Sequence, residues 1–474
     1  MSRTRGLARR LLPLLLALLS GASLAQADAE GRGREAQLLL SNAQADGLDP
    51  RDYAGDAIDT ALARYLHDLR FGRVDPRRLG YRLPPRSEGH GSADAAPDPR
   101  PLAAQVQEAT PPFAQYRQLK QALARYRALA ADASLVPAPL PAITVRPGQP
   151  LAAAPALARW LSALGDLPAG ATPAADHYDG TLSEAVRHFQ QRHGLEADGL
   201  IGQGTREALS IALPQRVQQI ELAMERLRWL GNASQQRFLA INIPNFTLWA
   251  WDARDPQHTP LTMGVIVGRA LDTRTPVLQE EMRRVIFRPY WNVPRSILLK
   301  ELLPRIRRDP TVLAREELEI VRGGGDDALP VPATAENLAL LAQGALRLRQ
   351  RPGERNSLGL VKFVFPNDDN VYLHSTPAQS LFRRARRDFS HGCVRVEDPV
   401  ALAEWVLREQ PAWTRERIVA AMGAQRPQQV ALQQPIPVLL FYTTAFVSPT
   451  TGELHFADDL YGHDRRLLQA LRAR

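Results

Sequence analysis

The chain has 474 residues, 45% of them hydrophobic and 23% charged, with 59 Lys and Arg against 50 Asp and Glu. That is globular composition and allows about three domains of ~150 residues, each with a core of its own. The single cysteine excludes an intramolecular disulfide, and the positive bias is mild and forms no long basic run, so an anionic polymer suits it but nucleic acid is not required.

Arg3, Arg5, Arg9 and Arg10 precede the apolar run Leu11 to Leu19 and the small-residue pattern Ala25-Gln26-Ala27. The run is shorter than the ~20 residues that span a bilayer, so residues 1–27 read as an export signal, with a retained N-terminal anchor as the alternative. No later stretch is long and apolar enough to cross a membrane, so membrane contact is expected only through an uncleaved N-terminus. The protein is expected to work outside the cytoplasm.

Residues 28–146 read as a helical scaffold. Leu38, Leu39, Ala43 and Leu48, then Ile58, Leu62, Tyr65, Leu66 and Leu69, then Tyr116, Leu119, Leu123 and Tyr126 recur at helical spacing. The stretches 87–101 and 136–150, rich in Pro, Gly and small residues, read as linkers or long loops. Residues 147–213 form a compact helical unit, with Leu157, Leu161 and Leu164 on one segment and Val186, Phe189 and Leu195 on the next. Its Phe189-Gln190, Gly194-Leu195, Asp198-Gly199, Gly202 and Thr205 resemble the three-helix peptidoglycan-binding domain, which implies glycan as a ligand. A spacer without glycan affinity is the alternative.

A connecting helix, 214–234, leads to a region of different period. Residues 235–446 hold short strand candidates at Phe238 to Ile243, Phe246 to Trp251, Leu261 to Val267, Arg284 to Phe287, Leu360 to Phe365, Asn370 to Ser375 and Val438 to Ala445. Within this mainly-β domain an insert, about 295–357, reads as two helices, Ser296 to Val321 and Ala335 to Arg351, joined at Gly323-Gly324-Gly325. Such an insert is either a hinged lid or a surface decoration. Residues 447–474 form a C-terminal segment, and the fold class is α+β multidomain.

The chemistry centres on Cys393, in Ser390-His391-Gly392-Cys393-Val394-Arg395-Val396, and on His374, in Val371-Tyr372-Leu373-His374-Ser375. A thiol with a pKa near ~8.5 needs a base or a stabilised thiolate to attack efficiently. His374 is placed to serve as that base at the end of a strand-like run. The Ser375 carbonyl would fix its tautomer, as the third member of a triad does. Gly392 permits close approach, and the Gly392 and Cys393 amides are candidates to face an oxyanion. An unperturbed imidazole would make the reaction slow below pH ~6.5.

At these residues the sequence resembles the L,D-transpeptidase (YkuD-type) family, whose motif is a histidine, a spacer, then S/T-H-G-C, an apolar residue and commonly Arg or Asn. With Pro289-Tyr290-Trp291-Asn292-Val293-Pro294, the insert and the upstream units, it looks like the large YcbB-like branch. The resemblance implies a periplasmic enzyme without a cofactor, in which Cys393 attacks the L-centre carbonyl of diaminopimelate in a tetrapeptide stem and releases D-alanine. An amine of a neighbouring stem then resolves the thioester. Peptidoglycan stems and glycan are the implied partners. Tyr372 shares a strand face with His374 and is assigned to substrate contact or the oxyanion pocket, with a core tyrosine as the alternative. Ser390 and His391 flank the nucleophile; Arg395 either meets a stem carboxylate or makes an internal ion pair; Trp291 is a substrate-wall candidate. Three rivals stay open: a metal site of His374, His391 and Cys393, a non-enzymatic wall-binding scaffold, and an L,D-acting hydrolase that resolves the thioester with water.

Overall fold

A computed structural model describes residues 30–84, 98, 100–231, 237–252, 254 and 259–473. The expected export signal and most of the 87–101 linker lie outside the described residues.

The N-terminal region is helical, with α1 at 30–41, α2 at Ile58–Phe71, α3 at Leu102–Ala109 and α4 at Ala114–Ala131. Helix α4 buries Tyr116, Leu119, Leu123 and Tyr126, the stripe expected from their spacing. In α1 the buried residues are Ala36 and Leu40, whereas Leu38 is 71% exposed. Three helices follow, α5 at Ala154–Leu164, α6 at Gly180–Arg192 and α7 at Gln203–Leu209. The Asp179 carboxylate caps α6 by accepting the Leu182 N–H at 2.9 Å. Helix α8, Leu213–Arg228, leads into the β domain.

Its strands, with a distal hairpin, are β1 Arg237–Asn242, β2 Thr247–Asp252, β3 Leu261–Gly268, β4 Leu278–Phe287, β5 Trp291–Asn292, β6 Leu318–Arg322, β7 Leu329–Val331, β8 Arg347–Gln350, β9 Val361–Val364, β10 Leu373–His374, β11 Asp388–Ser390, β12 Val394–Val396, β13 Gln428–Phe441, β14 Ala445–Val447 and β15 Leu454–Phe456. The main sheet runs β11-β3-β12-β10-β9-β4-β13-β1-β2, and β2 also pairs with β3, which closes it into a barrel-like wall. Alternation puts Leu239, Ile241, Val265, Val285, Phe363, Leu373 and Val394 inside as one core. Their polar neighbours on β9, β10 and β12 face outward.

The insert differs from the two helices expected. Its helical part runs from Arg295 to Arg308, through a π-helical turn at Leu298–Leu302, and resumes at Val312–Arg315 and Ala335–Gln343. The ends of both expected helices are instead strands of a four-stranded sheet, β5-β8-β6-β7. Leu318, Ile320, Leu346 and Leu348 fill the insert's own core from alternating positions, a period of two that overrides the helical reading. Gly323 and Gly325, with φ of +93° and +77°, turn the β6–β7 hairpin rather than hinge two helices.

Candidate active site

Strand register builds the site. β10 runs parallel to β12, with Leu373 opposite Val394 and His374 opposite Arg395, and the Val394 N–H donates to the Tyr372 carbonyl at 3.1 Å. Leu373 and Val394 are fully buried inside the barrel. The period of two therefore turns Tyr372, His374, Cys393 and Arg395 to the outer face together. β9 pairs antiparallel on the other side of β10 and sets Lys362 opposite His374. A cross-strand row Arg395, His374, Lys362 results, with Cys393 one step along.

His374 is 4% exposed, and its Nδ1 lies 2.5 Å from the Ser375 carbonyl oxygen. That acceptor puts the ring proton on Nδ1 and leaves Nε2 as the basic nitrogen. Burial, then the Arg395 charge, push its pKa down to about 3, against the opposing Ser375 carbonyl. Cys393 is half-buried and its thiol donates to the Asn370 carbonyl at 3.6 Å. Burial raises its pKa, opposed by hydrogen bonding to Tyr372 and by the Lys362 and Arg395 charges. Thiol and imidazole both rest neutral near pH 7, a different state from a thiolate–imidazolium pair.

The turn carrying the thiol is braced from several sides. Gly392 has φ of +111°, a conformation that favours glycine. Ser390 Oγ donates to the Cys393 carbonyl at 2.5 Å and accepts the Gly392 N–H at 3.2 Å. In this structure that N–H is thus engaged by Ser390, and Ser390 acts as a turn brace. Thr275 Oγ1 donates to the Gly392 carbonyl at 2.8 Å, and Thr273 Oγ1 to the Ser390 carbonyl at 3.0 Å. Asn367 accepts the Val371 N–H at 2.9 Å and donates to the Val371 carbonyl at 2.7 Å, which shapes the loop that offers the Asn370 carbonyl.

Of the residues singled out from sequence, Cys393, His374, Ser375, Gly392, Ser390, Tyr372 and Arg395 come together. His391 Nε2 lies 2.7 Å from Glu301 Oε1 on the insert's π-helical turn, so it ties the nucleophile turn to the insert. Trp291 sits in β5 and packs against the insert's core. Among the described residues no three His, Cys, Asp or Glu side chains converge as a metal-ligand set. The sequence reading missed Lys362, Thr273, Thr275 and the Asn370 carbonyl. Lys362 had a signal, a charge between the apolar Val361 and Phe363 of a period-two strand. The threonines lie in a distant loop and had none.

A thiol and a carbonyl-oriented imidazole on adjacent strands of a closed sheet are the parts of a thiol acyl-transfer site. Residues 236–424 match the L,D-transpeptidase catalytic domain (YkuD), residues 153–209 a peptidoglycan binding domain and residues 24–123 a Scaffold domain. A Haemophilus influenzae protein whose name places it among the L,D-transpeptidases is 31% identical over 250 residues, 53% of this chain. The match spans 49% of that relative, about half its length. Over residues 236–424 the chain is thus similar to the L,D-transpeptidase (YkuD) catalytic domain, and over residues 153–209 to a peptidoglycan-binding domain. No helix among the described residues is long and apolar enough to cross a membrane.

Proposed function

We propose that this protein cross-links peptidoglycan stems by cysteine acyl transfer outside the cytoplasm, most simply as an exported periplasmic enzyme. The observation that carries the reading is the β10–β12 register, which aligns Tyr372 and His374 beside Cys393 and Arg395 while the Ser375 carbonyl holds His374 Nδ1. The thiol proton passes to His374 Nε2 as Sγ attacks the L-centre carbonyl of diaminopimelate in a donor tetrapeptide. The Cys393 N–H and the Tyr372 hydroxyl are the candidate donors to the oxyanion that forms. Collapse breaks the amide bond, and the imidazolium gives its proton to the departing D-alanine amine. An amine of a second stem then yields a proton to His374 and attacks the thioester. Collapse forms the new amide and returns the sulfur, which regains that proton. Arg395, whose Nε is buried without a hydrogen-bond partner, suits a stem carboxylate.

Reaction with a carbapenem tests the nucleophile, because its strained carbonyl is an acyl centre for the same thiol. Intact-mass spectrometry with meropenem should show one stable adduct on wild type, none on Cys393→Ala, and slow formation on His374→Asn. With His374 held at about 3, the acylation rate should stay level from about pH 7 to about pH 5. A fall centred near ~6.5 would mean that His374 titrates as an ordinary histidine. An adduct on Cys393→Ala would overturn the assignment.

A further inference from the structure

Lys362 is one of only three lysines in the chain, against a large excess of arginine. It stands opposite His374 on β9, half-buried, with its Nζ 3.6 Å from the centroid of the Tyr372 ring. A cation–π contact of this kind fixes both groups, and the Tyr372 ring in turn lies 5.7 Å from that of His374. Among the described residues neither Lys362 nor Arg395 takes part in an ion pair. A half-buried cation without a carboxylate is costly unless an anion forms beside it during function.

Charged and titratable groups reach Cys393 from several elements. β10 contributes Tyr372 and His374, β12 contributes Arg395, β9 contributes Lys362, and β4 contributes Arg284, opposite Val364 two residues along from Lys362. On the nucleophile's own turn His391 is engaged with Glu301 of the insert. The groups aligned with the thiol across β9, β10 and β12 are thus cationic or neutral, and the anion left for Lys362 to receive is the sulfur itself as its proton leaves.

We propose that Lys362 is a positioning residue of the nucleophile: clamped on the Tyr372 face, its ammonium holds Tyr372 toward the thiol and supplies the counter-charge for the developing Cys393 thiolate. The assignment rests on Cys393 being the nucleophile. It adds a role for a residue outside the histidine and cysteine motifs.

Alkylation by iodoacetamide, followed by intact mass on the full chain, reads the thiolate without any peptidoglycan substrate. Lys362→Met should raise the midpoint of the pH–rate profile by about one unit, which is about tenfold slower alkylation at neutral pH. Lys362→Gln, polar and near in size, should do the same. Lys362→Arg, which keeps the charge, should stay near wild type. Profiles for Met and Gln that overlay wild type, or an equal rise in the Arg variant, would overturn the proposal. A shifted profile alongside failure to cross-link stem peptides would count against the transpeptidase reading and still support the role of Lys362.

Discussion

A methyl group at Gly359 would stand 2.6 Å from the Cβ and Oγ of Ser375 and 2.7 Å from the Thr376 nitrogen, at a backbone φ of +63°. Ser375 must therefore shift if this glycine is replaced, and its carbonyl sets the ring orientation of His374. Gly359→Ala should lower kcat by about tenfold to a hundredfold with little change in KM, because misplacing a base costs rate rather than binding. Steady-state kinetics on a tetrapeptide stem check this, and an unchanged kcat would show that the close approach does not govern the imidazole. Nothing in the Leu358-Gly359-Leu360 run announces the contact, since Ser375 meets it only once β9 and β10 pair. Cys393, His374 and Tyr372 were legible because a motif and a period of two are local signals. The neutrality of His374 was not, because it comes from burial and from Arg395 across the sheet.

At the scale of elements, the peptidoglycan-binding unit is less separable than its linker-flanked sequence suggests. Leu157, Leu161 and Phe189 share one core with Tyr116 and Leu123 of α4 and with Phe456 of the β14–β15 hairpin. Asp166 and Arg192 form a two-point buried pair at 2.7 and 2.6 Å, and Arg192 also donates to the Leu454 carbonyl at 2.6 Å. His188 bridges Asp166 and Glu453 at 2.7 and 2.8 Å. Deleting residues 151–213 would consequently strip a shared core as well as any glycan affinity. Asp166→Asn, which leaves the Arg192 charge uncompensated, should cost about 3–5 kcal/mol of stability. Denaturant unfolding checks this, and a loss below about 1 kcal/mol would mean that the hairpin and the unit are not tied through this pair. The helices of this unit were legible from spacing and capping. The hairpin was not, because 445–456 reaches its partners across more than 250 residues of sequence. The insert misled because short strands rich in Leu and Arg carry helical propensity, and only pairing with β5 and β7 decides against it.

For the whole molecule, α8 joins the helical half to the barrel-like half, and the C-terminal residues return to both cores. Phe456 packs in the helical core, while Tyr461 donates to the Gly268 carbonyl at 2.5 Å, beside the loop that braces the nucleophile turn. The general architecture, α+β with helical units ahead of a mainly-β domain, was readable from the change of hydrophobic period. The proposed function makes Cys393 the donor of a stem acyl group to an amine. Incubating the full-length protein with purified disaccharide tetrapeptides and resolving the products by mass spectrometry tests it most directly. Wild type should release D-alanine and accumulate stem-to-stem dimers whose new amide joins two diaminopimelate residues, and Cys393→Ala should form none. Dimers from Cys393→Ala, or D-alanine release by wild type with only hydrolysed stems and no dimer, would contradict the account.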